Sequence, residues 1–269
     1  MPLVHATTIE LDDQPVFFLR AGEDDVPVLY LHGVPTSADD WLPFLREGGG
    51  IAVDLPGFGR TGKRGDGDFT ADGWARWLPR FLDAIGVDRV RICAHDWGAA
   101  GLLWASREPG RVERVAVLNG APLVGGLSLP RHARLLALPG VGEVAVGLAL
   151  PSVMRRLLRQ GIAEDAEPGQ AWFDDISARF DQGTQRAVLR LFRAATPAAR
   201  EGAGRELRGL DLPALVVHGE RDPWHPPRTG QAYAAVLPQS ELLELPAAGH
   251  WPWLEDPDVI ARVLGFLRP

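Results

Sequence analysis

The sequence predicts an α/β protein with a mostly parallel, eight-stranded sheet flanked by helices and a helical cap inserted after the sixth strand. Short apolar runs alternate along the chain with stretches whose apolar residues recur at helical spacing. This alternation is typical of a parallel sheet that helices cover on both faces. It stops between residues 122 and 208 and then resumes, and a length of 269 residues is enough to bury a large core.

The predicted strands are short apolar runs bounded by turn residues. They are Val16–Leu19, Val28–Leu31, Ile51–Asp54, Val90–Cys93, Val112–Leu118, Leu215–His218 and Leu242–Leu245. Ala71–Ile85 carries large apolar side chains along one helical face, and Pro257–Leu267 predicts a final helix.

The interruption predicts three units: a first part of the core over 1–121, the cap over 122–208 and a second part of the core over 209–269. Within the cap, Val153–Arg159, Gln170–Phe180 and Gln185–Ala195 have helical spacing. Leu135–Met154 is apolar enough to suggest a membrane span, but its two prolines and a glutamate favour a broken, buried pair of segments.

Composition excludes several classes of function. The net charge is −7 with no run of Lys or Arg, which argues against nucleic acid or a membrane as a partner. The single cysteine, Cys93, cannot form an internal disulfide. Residues 1–13 lack the pattern of a signal peptide, so we expect a cytoplasmic protein. We expect it to be a monomer or a small homo-oligomer.

Asp96 is the first candidate catalytic residue. It lies in Ala94-His95-Asp96-Trp97-Gly98, between an apolar strand and the start of a helix, and small residues surround it. A strand, a tight turn and a helix around one polar side chain form the setting of a nucleophile elbow, where serine is the commonest nucleophile. The alternative interpretation is an ordinary helix N-cap.

An aspartate at this position changes the chemistry that the site can perform. A carboxylate that displaces a leaving group from saturated carbon forms an alkyl ester, and water can then attack the ester carbonyl and release an alcohol. Asp96 therefore points to carbon–halogen or epoxide cleavage and not to ester or peptide hydrolysis.

Two further residues follow later strands. Asp222 comes after Leu215–His218, and His250 comes after the last strand. Their order along the chain, nucleophile, acid and base, is the order expected for such an elbow. His250 would take a proton from water, while Asp222 would orient the ring and stabilise its cation. Taken singly, either residue could be an ordinary turn residue.

The backbone N–H groups of Val34 and Trp97 are the predicted oxyanion hole. Val34 follows the His32-Gly33 pair at the end of a strand, and Trp97 follows the nucleophile. In this arrangement the two N–H groups would stabilise the anion formed when water attacks the ester.

Together these motifs resemble the α/β-hydrolase superfamily, and specifically the Asp-nucleophile branch that holds haloalkane dehalogenases and epoxide hydrolases. The resemblance covers nearly the whole chain and is closer to the dehalogenases. The segments that carry it are His32-Gly33-Val34-Pro35-Thr36-Ser37, Asp54-Leu55-Pro56-Gly57-Phe58-Gly59, His95-Asp96-Trp97-Gly98, Asp222 and His250.

The chain departs from the family pattern at three positions. Val34 stands where many dehalogenases carry an asparagine that helps to hold the halide, and Ala94 replaces the usual glycine. Asn119 stands where some dehalogenases place the acid, so the resemblance assigns that role to Asp222.

The resemblance implies a hydrolytic dehalogenase that needs no cofactor or metal and acts on a small apolar organic substrate with water, releasing halide. Trp97 and Trp172 are the predicted halide donors, with His132 as an alternative to Trp172. The second hypothesis is an epoxide hydrolase, although the family's cap tyrosines are missing here, since Tyr30 and Tyr233 both lie in predicted core elements. The third is a ligand-binding protein without turnover.

Overall fold

One eight-stranded sheet organises the computed structural model, which describes residues 1–163, 166 and 168–268. The strands are β1 (Val4–Leu11), β2 (Gln14–Ala21), β3 (Val28–Leu31), β4 (Gly50–Val53), β5 (Val90–His95), β6 (Val112–Leu118), β7 (Pro213–Gly219) and β8 (Gln239–Leu245). Their spatial order is β1-β2-β4-β3-β5-β6-β7-β8. β2 runs antiparallel to β1 and to β4, and the other five pairs of neighbouring strands are parallel. The predicted fold class is therefore confirmed.

The helices flank this sheet and also fill the interval between β6 and β7. They are α1 (Leu42–Gly48), α2 (Ala71–Ala84), α3 (Gly101–Arg107), α4 (Arg131–Leu136), α5 (Val141–Gly147), α6 (Pro151–Gln160), α7 (Gln170–Arg179), α8 (Gln182–Ala194), α9 (Pro197–Leu207), α10 (Arg228–Val236), α11 (Pro252–Glu255) and α12 (Asp258–Leu267). The predicted helix Ala71–Ile85 corresponds to α2, which begins where the Thr70 side chain accepts from the Gly73 N–H.

The first strand has no counterpart among the predicted strands. β1 pairs with β2 along its whole length, from Val4 opposite Ala21 to Leu11 opposite Gln14. Most of its side chains are exposed, so no apolar run marks it in the sequence. An edge strand that rests on backbone pairing therefore escapes a search for buried segments.

The described part of the segment between β6 and β7 contains helices joined by loops, and no strand. It holds α4 to α9, and the three predicted helical patches fall on α6, α7 and α8. That this segment forms a separate cap remains a proposal, and we call residues 122–208 the cap segment below.

The prediction for Leu135–Met154 is correct in one respect and wrong in another. The stretch is broken, since it spans the end of α4, all of α5 and the start of α6. It is not buried as a whole, because Val144 and Leu148 are 62% and 67% exposed on the outer face of α5 and just beyond it. Among the described residues, no helix is long and apolar enough to cross a membrane.

The carboxyl ends of the parallel strands meet at one edge of the sheet. The loops that follow β3, β5, β6, β7 and β8 converge there, and residues of the cap segment lie opposite them across a cavity. In open α/β sheets this edge is the usual place for a ligand.

Candidate active site

Asp96 occupies a strained turn at the carboxyl end of β5. Its φ of 47° lies in the left-handed region, which costs a non-glycine residue about 1 kcal/mol. Asp96 is also the first residue of a short 3₁₀ helix, Asp96–Ala100, which leads into α3. The turn sits tight against β3, since a Cβ at Gly98 would lie 2.2 Å from the Leu31 carbonyl oxygen. The structure thus contains the predicted strand, turn and helix, and Asp96 is 3% exposed.

Each carboxylate oxygen of Asp96 has its own partner. The Val34 N–H donates to Oδ2 over 3.0 Å, and His225 Nε2 lies 2.9 Å from Oδ1. Asp96 is the first residue of the 3₁₀ helix, whose N-cap is His95, and neither contact comes from that helix, so the alternative interpretation of Asp96 as a plain N-cap is wrong. Gly33 allows this approach, because a Cβ there would lie 2.9 Å from Asp96 Oδ2.

The Asp96 carboxyl is held in its ionised form. Burial alone would raise its pKa, but the hydrogen bond from His225 and the nearby imidazoles of His250 and His95 outweigh it and lower the pKa to about 2. At neutral pH the side chain is therefore a carboxylate, which is the form that a nucleophile needs.

Asp222 and His250 lie beside each other as predicted. His250 Nδ1 is 2.7 Å from Asp222 Oδ2, and both side chains are almost fully buried. Asp222 Oδ2 also accepts from Asn119 Nδ2, while Asp222 Oδ1 accepts from the N–H groups of Trp224 and His225. Burial would raise the Asp222 pKa, but the imidazoles of His250 and His225 and these donors hold it well below its ordinary value. Asp222 is thus an ionised, fully hydrogen-bonded partner for His250.

Asn119 is one of the positions at which the chain departs from the family pattern, and here it supports Asp222. Its Nδ2 donates to Asp222, and its Oδ1 accepts from the Gly219 N–H at the end of β7. The amide therefore ties the end of β6 to the loop after β7 and fixes the orientation of the Asp222 carboxylate.

His225 is a site residue that the sequence interpretation missed. It lies three residues after Asp222, and its ring nitrogen contacts the nucleophile directly. Its backbone is fixed on both sides, because its N–H donates to Asp222 and its carbonyl is bonded by the His218 ring over 2.9 Å. The only sequence signal was a histidine within one turn of the predicted acid.

Asp96, His225 and His250 form a compact polar group. A carboxylate oxygen of Asp96 and one ring nitrogen of each histidine all lie within 4.8 Å of one another. The 2.9 Å between Asp96 and His225 is a hydrogen-bond distance and is shorter than the separation of about 3.3 Å that two ligands keep on a tetrahedral zinc ion. The spacing fits proton chemistry better than metal binding.

The group opens into a cavity of about 240 Å³ with mainly apolar walls. The walls come from the core loops and from α4, α5, α6 and α8. The polar side chains on them are Asp96, Trp97, His132, Trp224, His225 and His250. No serine, threonine or tyrosine lies among the described lining residues. A cavity of this kind suits a small apolar molecule that carries one polar or polarisable atom.

Trp97 and Val34 both line the cavity, next to Asp96. The Trp97 ring lies 5.9 Å from that of Phe192 in α8. The backbone N–H of Trp97 belongs to the first turn of the 3₁₀ helix, where backbone N–H groups lack partners within the helix. Only the Val34 contact to Asp96 is present as a hydrogen bond in the structure.

The prediction that Trp172 donates to a halide is wrong. Trp172 lies in α7, and its Nε1 donates to Asp40 Oδ1 over 3.0 Å. It does not line the cavity, and its ring packs instead against Trp251 at 5.1 Å. The alternative donor His132 does line the cavity, and burial together with His225 lowers its pKa to about 4, so that it is neutral at pH 7.

Replacing Asp40 with asparagine is expected to stabilise the protein at pH 8. Burial raises the Asp40 pKa from 3.8 to about 6, so wild-type stability falls as the pH rises through that interval. Asparagine keeps an oxygen for Trp172 and removes the buried charge. The expected gain in unfolding free energy is about 1–3 kcal/mol at pH 8 and much less at pH 4.

Urea denaturation at the two pH values measures this effect. The exposed Asp174→Asn variant is the matched control and should show no such pH dependence. An Asp40→Asn variant that is less stable than wild type at pH 8 would contradict the prediction.

Comparisons with known proteins agree on the fold. A family model described as alpha/beta hydrolase fold matches residues 26–257. A haloalkane dehalogenase of Mesorhizobium japonicum is 28% identical over 97% of this chain and 90% of its own length. A 2-hydroxy-6-oxo-6-(2'-aminophenyl)hexa-2,4-dienoic acid hydrolase of Metapseudomonas resinovorans is also 28% identical, over 93% of this chain and 86% of its own.

Solved structures give the same result. The haloalkane dehalogenase DbeA from Bradyrhizobium elkani superposes with a TM-score of 0.81 at 23% identity, covering 98% of this chain and 97% of that one. Cfl2 from Burkholderia cenocepacia superposes with a TM-score of 0.86 at 23% identity, covering 98% and 96%. At these identities the likeness concerns the fold.

Proposed function

Because this chain belongs to the alpha/beta hydrolase fold family, we propose that it is a hydrolase that cleaves the carbon–halogen bond of a small haloalkane through a covalent ester on Asp96. One observation carries the proposal: a buried, ionised carboxylate faces an apolar cavity, with a backbone donor on one oxygen, the His225 imidazole on the other and the His250 imidazole nearby. A serine hydrolase would need a hydroxyl where this chain has Asp96.

In the first step Asp96 Oδ1 attacks the carbon that bears the halogen. The new bond joins Oδ1 to that carbon, and the halogen leaves with the electron pair of the broken bond as halide. Oδ1 accepts one hydrogen bond from His225 and keeps a lone pair for the carbon, since a carboxylate oxygen has two acceptor sites. The indole N–H of Trp97 and the imidazole N–H of His132 are the proposed donors to the departing halide.

In the second step water attacks the ester carbon of Asp96. His250 takes the proton of the water, and Asp222 stabilises the resulting imidazolium. The negative charge develops on Oδ2, to which the backbone N–H of Val34 already donates. We propose that the backbone N–H of Trp97 donates to Oδ2 as well at this stage. The ester bond then breaks, and the alcohol leaves with the original Oδ1.

The decisive experiment follows oxygen from water into Asp96. Wild-type protein that turns over 1-bromobutane in ¹⁸O-labelled water should release bromide and acquire ¹⁸O in the peptide that contains Asp96. The alcohol from the first turnover should carry unlabelled oxygen. Label in that first alcohol with none in Asp96 would mean direct attack of water on the substrate, and no halide release from a broad panel of chloro-, bromo- and iodoalkanes would reject dehalogenation.

An epoxide hydrolase is the second candidate, and the imidazoles of His132 and His225 favour it because they offer N–H donors to an epoxide oxygen. Against it stands the lack of a hydroxyl among the described lining residues. Diol formation from styrene oxide, together with no halide release, would favour this candidate over the first.

A further inference from the structure

The second step needs a proton donor for the departing oxygen. When the tetrahedral intermediate on Asp96 collapses, the bond between the ester carbon and Oδ1 breaks. An alkoxide is a poor leaving group in an apolar cavity, so Oδ1 needs a proton as it departs. An acid already within hydrogen-bond distance of Oδ1 can neutralise the charge that develops there.

We propose that His225 is a second catalytic histidine, which protonates Asp96 Oδ1 as the alcohol leaves. This inference rests on the proposed ester mechanism. His225 Nε2 lies 2.9 Å from Oδ1, the oxygen that carries the alkyl group, since the Val34 N–H holds the other one. His250 is engaged with Asp222 through Nδ1 and serves the attacking water. Base and acid are thus two different imidazoles.

The protons balance over the cycle. His250 gains one from water, His225 gives one to the alcohol, and Asp96 is left for a moment as a neutral acid. Asp96 then returns its proton to the adjacent His225, which restores the starting pair. His250 releases its proton to solvent, and this is the one proton that hydrolysis of a haloalkane produces.

The surroundings of His225 favour the protonated form of its ring. Burial disfavours its charged form, but the carboxylates of Asp222 and Asp96 outweigh burial and raise its pKa. Once Asp96 is esterified, one of these two charges is gone, so His225 becomes a stronger acid at the stage where it must donate. The titratable groups that face it are Asp96, His132, His218, Asp222 and His250.

The test is His225→Gln, because a glutamine amide can keep a hydrogen bond to Oδ1 but cannot give up a proton. In rapid-quench experiments with 1-bromobutane we expect one equivalent of bromide per site at a rate within about tenfold of wild type. Ester hydrolysis should then slow by about 10²–10⁴-fold, the usual share of a general acid. The exposed His5→Gln variant is the control and should behave as wild type.

The pH profile separates proton donation from positioning. In wild type, ester hydrolysis should fall at high pH, where His225 is deprotonated. His225→Gln should lose the high-pH limb. The variant should also be less impaired with 1,2-dibromoethane, whose product alcohol is more acidic and leaves more readily.

The outcomes are distinguishable. Ester hydrolysis by His225→Gln within tenfold of wild type, with the high-pH limb intact, would overturn the role of His225 and leave the ester mechanism standing. If the variant does not fold, a wild-type hydrolysis rate that does not fall at high pH would overturn it equally. Failure of wild type to release any halide would instead reject the proposed function, and this inference with it.

Discussion

Replacing Asp96 with alanine is expected to lower halide release by about 10⁵-fold or more, the scale of loss seen when a covalent nucleophile is removed. No other carboxylate is among the described residues that line the cavity, so nothing there can take over the ester. Halide release is measured over hours at high protein concentration, against a blank without protein, so that so large a loss of rate can be detected.

The same variant separates a catalytic role from a structural one. Asp96 sits at a φ of 47° and accepts bonds from Val34 and His225, yet its removal also takes a buried charge out of the core. We therefore expect a cooperative thermal transition within a few degrees of wild type. Asp174→Ala, at an exposed carboxylate, should retain full activity. Halide release by Asp96→Ala within 100-fold of wild type would contradict the ester mechanism.

Much of the site was predictable because parallel strands end at the same edge of a sheet. Asp96, Asp222 and His250 each follow an apolar run, so identifying the runs as parallel strands places the three side chains near one another. The same reasoning brings Val34 to Asp96 from the end of β3. In such a fold, the neighbours of a strand-end residue follow from topology, which apolar patterning reveals.

The errors at the site concern side chains whose direction no local pattern specifies. Trp172 lies on a correctly predicted helix, but its indole donates to Asp40, which is 132 positions away in the sequence. Helical spacing says which face is apolar and not what that face contacts. His225 depends on how the loop after β7 turns, because two backbone bonds to Asp222 aim its ring at Asp96. The long-range packing of the cap segment and the geometry of one loop were the missing information.

Replacing His250 with glutamine is expected to separate the two chemical steps. Asp96 would still attack, since its ionisation does not require His250 to take a proton, and one halide per site should appear in a burst. Water would then lack its base, so ester hydrolysis should fall by about 10²–10⁴-fold. Intact-protein mass spectrometry after the burst should show a gain equal to the alkyl group, and fragmentation should place it on Asp96.

This variant also tests the division of work between the two histidines. His225→Gln should lose the high-pH limb of ester hydrolysis, whereas His250→Gln should hydrolyse the ester slowly but retain that limb. The double variant should also lose the high-pH limb while the halide burst persists, because neither imidazole takes a proton in the first step. If His250→Gln suppresses the burst itself although Asp222 remains ionised, then His250 acts before the ester forms, and activation of water is not its principal role.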